Sequence, residues 1–546
     1  MPVQSQNNAP PALPLHDIAD RIFDFLDDTR GLLACALTSR TLRGPSQKRL
    51  FRVFDIRLAL SIVPGVMPAL SGNPNSTFES FIDTIVNAPH LHTYPRSLSI
   101  VGIQNSDGPG VAPYAIDVVF LQLLPCLSQL HTLKIRSRFA FTRDFIYWTS
   151  VGAIALPVHT ALKSLSLESN TIDAISNNRS GQTVNAVPSP SVPLVLFDQF
   201  PHLSKLQLVG VLFAGQSVSA AIVDSSMLED GNFSVQEEWA VARGLTAPIN
   251  VLFSPLLYMS SPRGRELRAL AKYNWLLVAH NAMPPQALHN RFIKLESLKL
   301  RLNERAFLFF VSWLLLSPIC PYSIGEIGEL EVAFGSTAWY HSRDVHASPL
   351  LRRLLLATRS VLLNAKSTLE TFSFQVRGLY LGDCWVYRVL EDVFPQMTRL
   401  TVVNLQAEVF GDSLQFEPEE LFAPDEYERD VEVYFRLLGH ALRAPNLRRL
   451  QSFLDSAEAD AVEPMCQDGS VSPREQAETL AEEAMDLEVL KEVLRDSLRP
   501  QTGVDFRAVF CGGYEIMSRE QAGLVEDVIR EAFAEVGDNE VCVAVT

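Results

Sequence analysis

Long apolar runs are missing from this chain. The most hydrophobic stretch, 306–316, is about half the ~20 residues that a membrane-spanning helix needs, which predicts a buried helix there and no membrane association. Cysteine is sparse and scattered. The seven residues Cys35, Cys126, Cys320, Cys384, Cys466, Cys511 and Cys542 form no CxxC pair, so neither a disulfide framework nor a zinc site is expected, and free thiols in a reducing cytoplasmic or nuclear compartment are. The opening MPVQSQNNAPPA has neither the basic region nor the apolar core of a secretory signal. Positive charge is also short: 46 Lys and Arg face 62 Asp and Glu, for a formal charge of -16. That balance argues against a general nucleic-acid binder, which must replace phosphate counterions with Lys and Arg. No phosphate-cradling loop, zinc-protease motif or nucleophile elbow occurs, and the histidines do not fall at metal spacings. A non-catalytic protein without cofactor or metal is expected.

What is present begins at residue 13. Pro14 suits the first turn of a helix, and Asp17 places negative charge near the positive end of its dipole. Leu15, Ile18, Ala19, Ile22, Phe23 and Leu26 then form one apolar stripe at helical spacing. The polar run Asp27-Asp28-Thr29 ends this helix and can cap a second, carrying Leu32, Leu33, Cys35, Ala36 and Leu37. Gly44-Pro45 predicts a break before a third short helix over 46–51. Three such helices bury too little surface to be comfortable alone, which points to a partner.

This stretch, 13–51, resembles an F-box in its opening Leu13-Pro14, its helical Ile18 and Ile22, Phe25-Leu26 before acidic turn residues, the Leu32-Leu33-x-Cys35-Ala36-Leu37 helix, Arg40 and the closing Leu50-Phe51. It is similar in particular to F-boxes of filamentous and mushroom-forming fungi, although His16-Asp17 and Leu42 stand where the family commonly has Glu and Trp. The resemblance implies that Leu13, Pro14, Ile18, Ile22, Leu26, Leu32, Leu33, Leu37, Leu50 and Phe51 bind a Skp-type adaptor. Through that adaptor they would join a cullin.

From about residue 96 a loose motif recurs: apolar, two others, apolar, one other, apolar. Its copies centre on Leu133, Leu165, Leu206, Leu298, Leu330, Phe372 and Leu400, with a weaker Leu447-Arg-Arg-Leu450 at the end. Several follow an apolar helix-like stretch closed by a proline turn at Pro125, Pro201, Pro395 or Pro445. Each copy reads as a short strand entered by a turn, as in leucine-rich repeats. The centres are 28 to 42 residues apart except for a 92-residue gap between Leu206 and Leu298, so long insertions must be looped out.

The expected fold class is therefore α/β: an N-terminal helical unit (13–53) after a polar tail (1–12), a connecting segment (54–95), and an irregular leucine-rich horseshoe (96–454). An acidic linker (455–471) follows, and then a small β-α-β cap or module (472–546). In 455–500 there are 13 acidic against 4 basic residues, the usual composition of a solvated face and linker. In the tail, Ser472-Pro473-Arg474-Glu475 reads as a capping box, and strands are expected over 504–510 and 541–545.

Residues between the inward positions of a leucine-rich strand face a concave surface. The expected target-binding set is Lys134, Arg136, Glu168, Lys205, Lys299, Arg301, Glu329, Glu331 and Arg399, flanked by Ser166, Gln207, Ser373, Gln375 and Thr401. Its sign changes from basic through Arg301 to acidic at Glu329 and Glu331, which predicts a bipolar groove for a charged protein surface. The role expected from both halves together is substrate recognition in a Skp, cullin and F-box ubiquitin ligase. A leucine-rich scaffold unconnected to ubiquitination is the alternative.

Overall fold

The computed structural model of the chain describes residues 23, 28–59, 85, 87–103, 114–117, 119–136, 139–141, 145, 156–169, 191–213, 293–316, 320–335, 347–377, 390–409, 437–456, 472–475, 478, 504–511, 523–524, 526–528, 530–531 and 541–545. They form a mixed α/β structure around one open sheet of 12 parallel strands. In chain order these are β1 (Val53–Ala59), β2 (Ser97–Ile103), β3 (Thr132–Arg136), β4 (Ser164–Glu168), β5 (Lys205–Val209) and β6 (Ser297–Leu302). The rest are β7 (Glu329–Gly335), β8 (Thr371–Arg377), β9 (Val402–Val409), β10 (Arg449–Ser456), β11 (Asp505–Cys511) and β12 (Val541–Val545). Spatial order follows chain order throughout, and the sheet does not close into a barrel.

Alternation decides which side of each strand is packed. Leu98, Leu133, Leu165, Leu206, Leu298, Leu330, Phe372, Val403 and Leu450 are successive partners across nine strands. All nine are buried. A second row two residues on, from Ile100 through Ile135, Leu167, Leu208, Leu300, Val332 and Phe374 to Leu405, is buried beside it. A single apolar core runs from Ile56 to Val504. Each fully buried Leu or Phe in it contributes on the order of 1.5 to 3 kcal/mol against exposure.

The same turn starts each strand. One carbonyl accepts hydrogen bonds from two successive amides of the next strand: Arg52 from Arg96 and Ser97, Arg96 from His131 and Thr132, His131 from Lys163 and Ser164, Lys163 from Ser204 and Lys205. The pattern continues through Ser204, Glu296, Gly328, Glu370 and Thr401 to Arg448, which accepts from Asp505. Main-chain groups thus recur at every step of this N-terminal rim of the sheet. After β5, Gly210 takes a φ of 61°, the left-handed region open to glycine, and its amide donates to Arg301 across the sheet.

Helices cover the apolar side. The run expected to be a buried helix is α3, Glu304–Leu316; Asn303 accepts from the Ala306 amide at 2.8 Å at its start. Between Ala306 and Leu315 every described side chain is buried, the setting in which so apolar a run is expected: Phe307 meets Phe334 edge-on at 4.7 Å, and Phe310 stacks on Phe213 at 5.2 Å. The helix α4, Ala347–Ala365, buries Leu354, Leu355, Val361 and Leu362.

Of the two readings of the tail, cap or module, its strands fit the cap: β11 and β12 extend the same sheet beyond β10. Three sequence expectations change. The segment 54–95 is not merely a connection, because β1, which runs into it from Val53, is the first strand of the sheet, with Ile56 opposite Ile100. The copy centred on Leu400 is displaced by three residues, since Val403, not Leu400, is opposite Phe372. Finally, Gly44-Pro45 does not break the chain.

Instead one helix, Arg40–Leu50, runs through Pro45. Proline removes one main-chain hydrogen bond and crowds the preceding turn. Here Ser39 caps the helix by accepting from the Leu42 amide, and Pro45 itself is buried, so packing outweighs the local cost.

Candidate functional site

Two surfaces carry the residues singled out in the sequence. The first is the helical pair at the N-terminus, α1 (Thr29–Thr38) and α2 (Arg40–Leu50). Asp28 caps α1 as expected, its carboxylate accepting from the Arg30 amide at 3.0 Å and the Gly31 amide at 2.9 Å. That satisfies two of the donors a helix start leaves open. The pair has its own small core of Phe23 and Leu32, flanked by Cys35, Leu42 and Leu50, separate from the core under the sheet.

The ten expected adaptor-binding residues therefore divide. Leu13, Pro14, Ile18, Ile22 and Leu26 lie outside the described residues. Leu32 is used internally, Leu50 flanks it, and Phe51 packs against the main core beside Phe54. Leu33 and Leu37, one helical turn apart, are 48% and 80% exposed. Burial thus removes Leu32 from a docking role and leaves Leu33 and Leu37 as the apolar pair that α1 presents to solvent.

The second surface is the polar face of the sheet. The structure brings eight of the nine expected target-binding residues onto it, and neighbouring strands place them within reach of one another. Lys134 Nζ on β3 is 2.8 Å from a Glu168 oxygen on β4, and Arg136 Nε is 3.5 Å from the other. Ser166 Oγ donates to Glu168 at 3.0 Å. On β6 and β7, Lys299 lies 2.6 Å from Glu329 and 3.7 Å from Glu331, and Arg301 Nε donates to Glu331 at 2.5 Å. Burial alone would raise the Glu329 carboxyl; hydrogen bonds from Lys299 and Ser297, with the charges of Lys299 and Lys205, outweigh it and hold that carboxyl below its ordinary range.

This geometry corrects the bipolar groove. The change of sign at Arg301 is not a boundary between two free patches, because the acidic strand lies directly against the basic one and their charges pair. Arg399 is also misplaced by the sequence reading: it sits in the turn before β9 and donates to Glu370 beside the rim. Thr401 likewise precedes the strand, its hydroxyl donating to the Glu370 carbonyl at 3.1 Å.

Further along, charge on the face recedes to the start of β10, where Arg449 pairs with Asp505 of β11 at 3.1 Å. On β8 to β10 the face presents Ser373, Gln375, Asn404, Gln406 and Gln451, with Asn404 donating to Ser373 Oγ at 3.0 Å. Among the described residues, no group of three or more His, Cys, Asp or Glu side chains is placed to hold a metal ion. No helix among them is long and apolar enough to cross a membrane.

Sequence inspection passed over His159. Its ring is buried, Nε2 donates to the Leu127 carbonyl at 2.8 Å and Nδ1 accepts from the Leu162 amide at 3.2 Å. It is a strut between two successive turns. A lone histidine in LPVHTAL carries no such signal in the sequence.

The chain matches no family model and no curated protein.

Proposed function

We propose that this chain is the substrate-recognition subunit of a Skp, cullin and F-box ubiquitin ligase, with the sheet as an irregular leucine-rich solenoid. One observation carries the reading. The α1–α2 pair has a core of its own and turns Leu33 and Leu37 outward, as a docking helix needs and a purely structural cap does not. Burying two such leucines against a partner would contribute on the order of 1.5 to 3 kcal/mol each before the entropy of association is charged.

The array then holds a target on its polar face, and the contribution to ubiquitin transfer is proximity rather than side-chain chemistry. Nothing in the chain is assigned a catalytic role. The neutral amides of β8 to β10 suit this better than the paired charges of β3 to β7. Each of those pairs would have to be desolvated on binding.

The scaffold alternative has its own support: Phe51, which ends α2, packs against the main core beside Phe54 of β1. Co-purification of the intact chain with a Skp-type adaptor separates the two. With Leu33→Asp and Leu37→Asp, both at exposed positions, adaptor is lost while circular dichroism and melting stay unchanged. Retention of adaptor by the folded double variant, or no retention by the wild type, leaves the scaffold.

A further inference from the structure

The polar face uses its hydrogen-bonding capacity unevenly. On β3 to β7 its cations and carboxylates bind one another, as Lys134 does Glu168 and Arg301 does Glu331. On β8 to β10 the five uncharged side chains Ser373, Gln375, Asn404, Gln406 and Gln451 share one hydrogen bond, from Asn404 to Ser373. Gln375 and Gln406 are direct partners in the sheet. Even so, no hydrogen bond joins the side chain of Gln375, Gln406 or Gln451 to another described residue. Each of these amides keeps two N–H donors and a carbonyl acceptor for something else. Gln451 is exposed and the other four side chains are half-buried.

Strand formation does not call for these residues. Asn is depleted in strands, yet Asn404 stands inside β9 between the buried Val403 and Leu405. Departures from local preference within a packed element concentrate at functional positions. The spacing points to what fits. Asn404 and Gln406 are two residues apart on one strand, so they rise from the sheet about 6.7 Å apart. An extended peptide turns the N–H and C=O of every second residue to the same side, at that same repeat. On β8, Ser373 and Gln375 stand in register with them across one strand spacing of about 4.8 Å. A segment laid lengthwise over these strands meets donors and acceptors at each of its same-side peptide groups.

We propose that the polar face of β8 to β10 binds an extended, uncharged, polar segment of a target protein through its peptide groups, with Gln375, Asn404, Gln406 and Gln451 supplying the hydrogen bonds. This rests on the reading of the polar face as the target-holding surface and names the class of target. Charge complementarity selects the occupant. The charges that border the amides are already engaged, Glu331 with Lys299 and Arg301 on one side and Arg449 with Asp505 on the other. An acidic or basic segment would have to break those pairs or leave its own charges unmatched. An apolar segment would bury the amides without partners. A neutral polar segment does neither.

Selection of a displayed library of random short peptides on the immobilised full chain tests it, with fluorescence anisotropy of the enriched peptides after synthesis. Enriched peptides should be rich in Ser, Thr, Asn, Gln and Gly and poor in charge. Their affinity should change little as salt rises from about 50 to about 500 mM, because no ion pair is screened. Gln375→Ala with Gln406→Ala should weaken binding roughly tenfold through the loss of two hydrogen bonds. Gln406→Ala with Gln451→Ala should do the same, and circular dichroism should be unchanged in both. Arg136→Gln, on β3, should leave affinity as it is. Enrichment of charged or apolar peptides, no enrichment, or wild-type affinity in both folded double variants would each overturn the proposal. Adaptor retention by the same proteins is read separately. A chain that retains adaptor but selects no uncharged peptide loses only this inference, whereas one that selects such peptides without retaining adaptor keeps the site and loses the ligase reading.

Discussion

Leu206 on β5 and Leu298 on β6 are direct partners in the sheet although 92 residues of chain separate them. Closing a long loop costs little more than closing a short one, since the entropy grows only with the logarithm of length. The long gap therefore leaves the ladder unbroken. Leu298 is fully buried where the first five strands meet the rest. Leu298→Ala should cost about 2 to 5 kcal/mol, read as a lower urea midpoint. Because each strand pairs only with its neighbours, the two sides of the ladder should then unfold in separate transitions. A single transition at the wild-type midpoint would refute this.

Asp28→Ala removes both side-chain bonds at the start of α1. Loss of such a cap costs about 1 kcal/mol. Because α1 and α2 share a core separate from the sheet, amide exchange should quicken in α1 and α2 and stay unchanged in α3. Equal acceleration in α3 would mean that the two cores unfold as one.

Glu329 supplies a pH dependence of definite sign. Its folded-state carboxyl lies below the ordinary value of 4.5, so its contribution is present above that value and is lost as pH falls through the depressed one. The side chain is 44% exposed, which screens the effect and keeps it small. Wild type should be more stable than Glu329→Gln at neutral pH, and the difference should close as pH falls below about 4. Asp392, held down first by its hydrogen bond from Arg359, and Asp505, held down first by the one from Arg507, act in the same direction. A gap between wild type and variant that widens in acid would contradict the pairing.

His159→Leu keeps bulk but strands the Leu162 amide, whose hydrogen bond is to the imidazole. The Leu127 carbonyl still accepts from Leu130. An unsatisfied buried donor costs about 1 to 3 kcal/mol, so the melting temperature should drop and the Leu162 amide should exchange faster than its neighbours. An unchanged melting curve would show that the strut is dispensable.

Local rules were the legible part of this sequence. The cap at Asp28 and the box at 472–475, where the Ser472 amide donates to Glu475 at 2.9 Å and the Glu475 amide to Ser472 Oγ at 3.2 Å, follow from side chains a few residues apart. Overlapping patterns were not legible. Met397, Leu400 and Val402 fit the repeat as well as Leu400, Val403 and Leu405 do, and only pairing with Phe372 chooses the second. Phe51, Phe54 and Ile56 also carry the pattern and mark β1. The charge pairing of Glu331 with Arg301 was hidden because it depends on strand adjacency, 30 residues apart in the chain. In α1, the helix proposed to dock, Leu33 and Leu37 could be named but not told apart from the buried Leu32 by composition.

The turn that begins each strand is built from peptide groups, to which Thr401 adds a hydroxyl bond but which the other positions form without one. The position accepts Arg at 52, Ser at 204, Glu at 370 and even Gly at 328, where an added Cβ would approach nothing closer than 3.8 Å. Side-chain identity there is uncoupled from folding. The rim can therefore be rewritten one strand at a time, changing what the molecule attracts while the architecture beneath it stays the same.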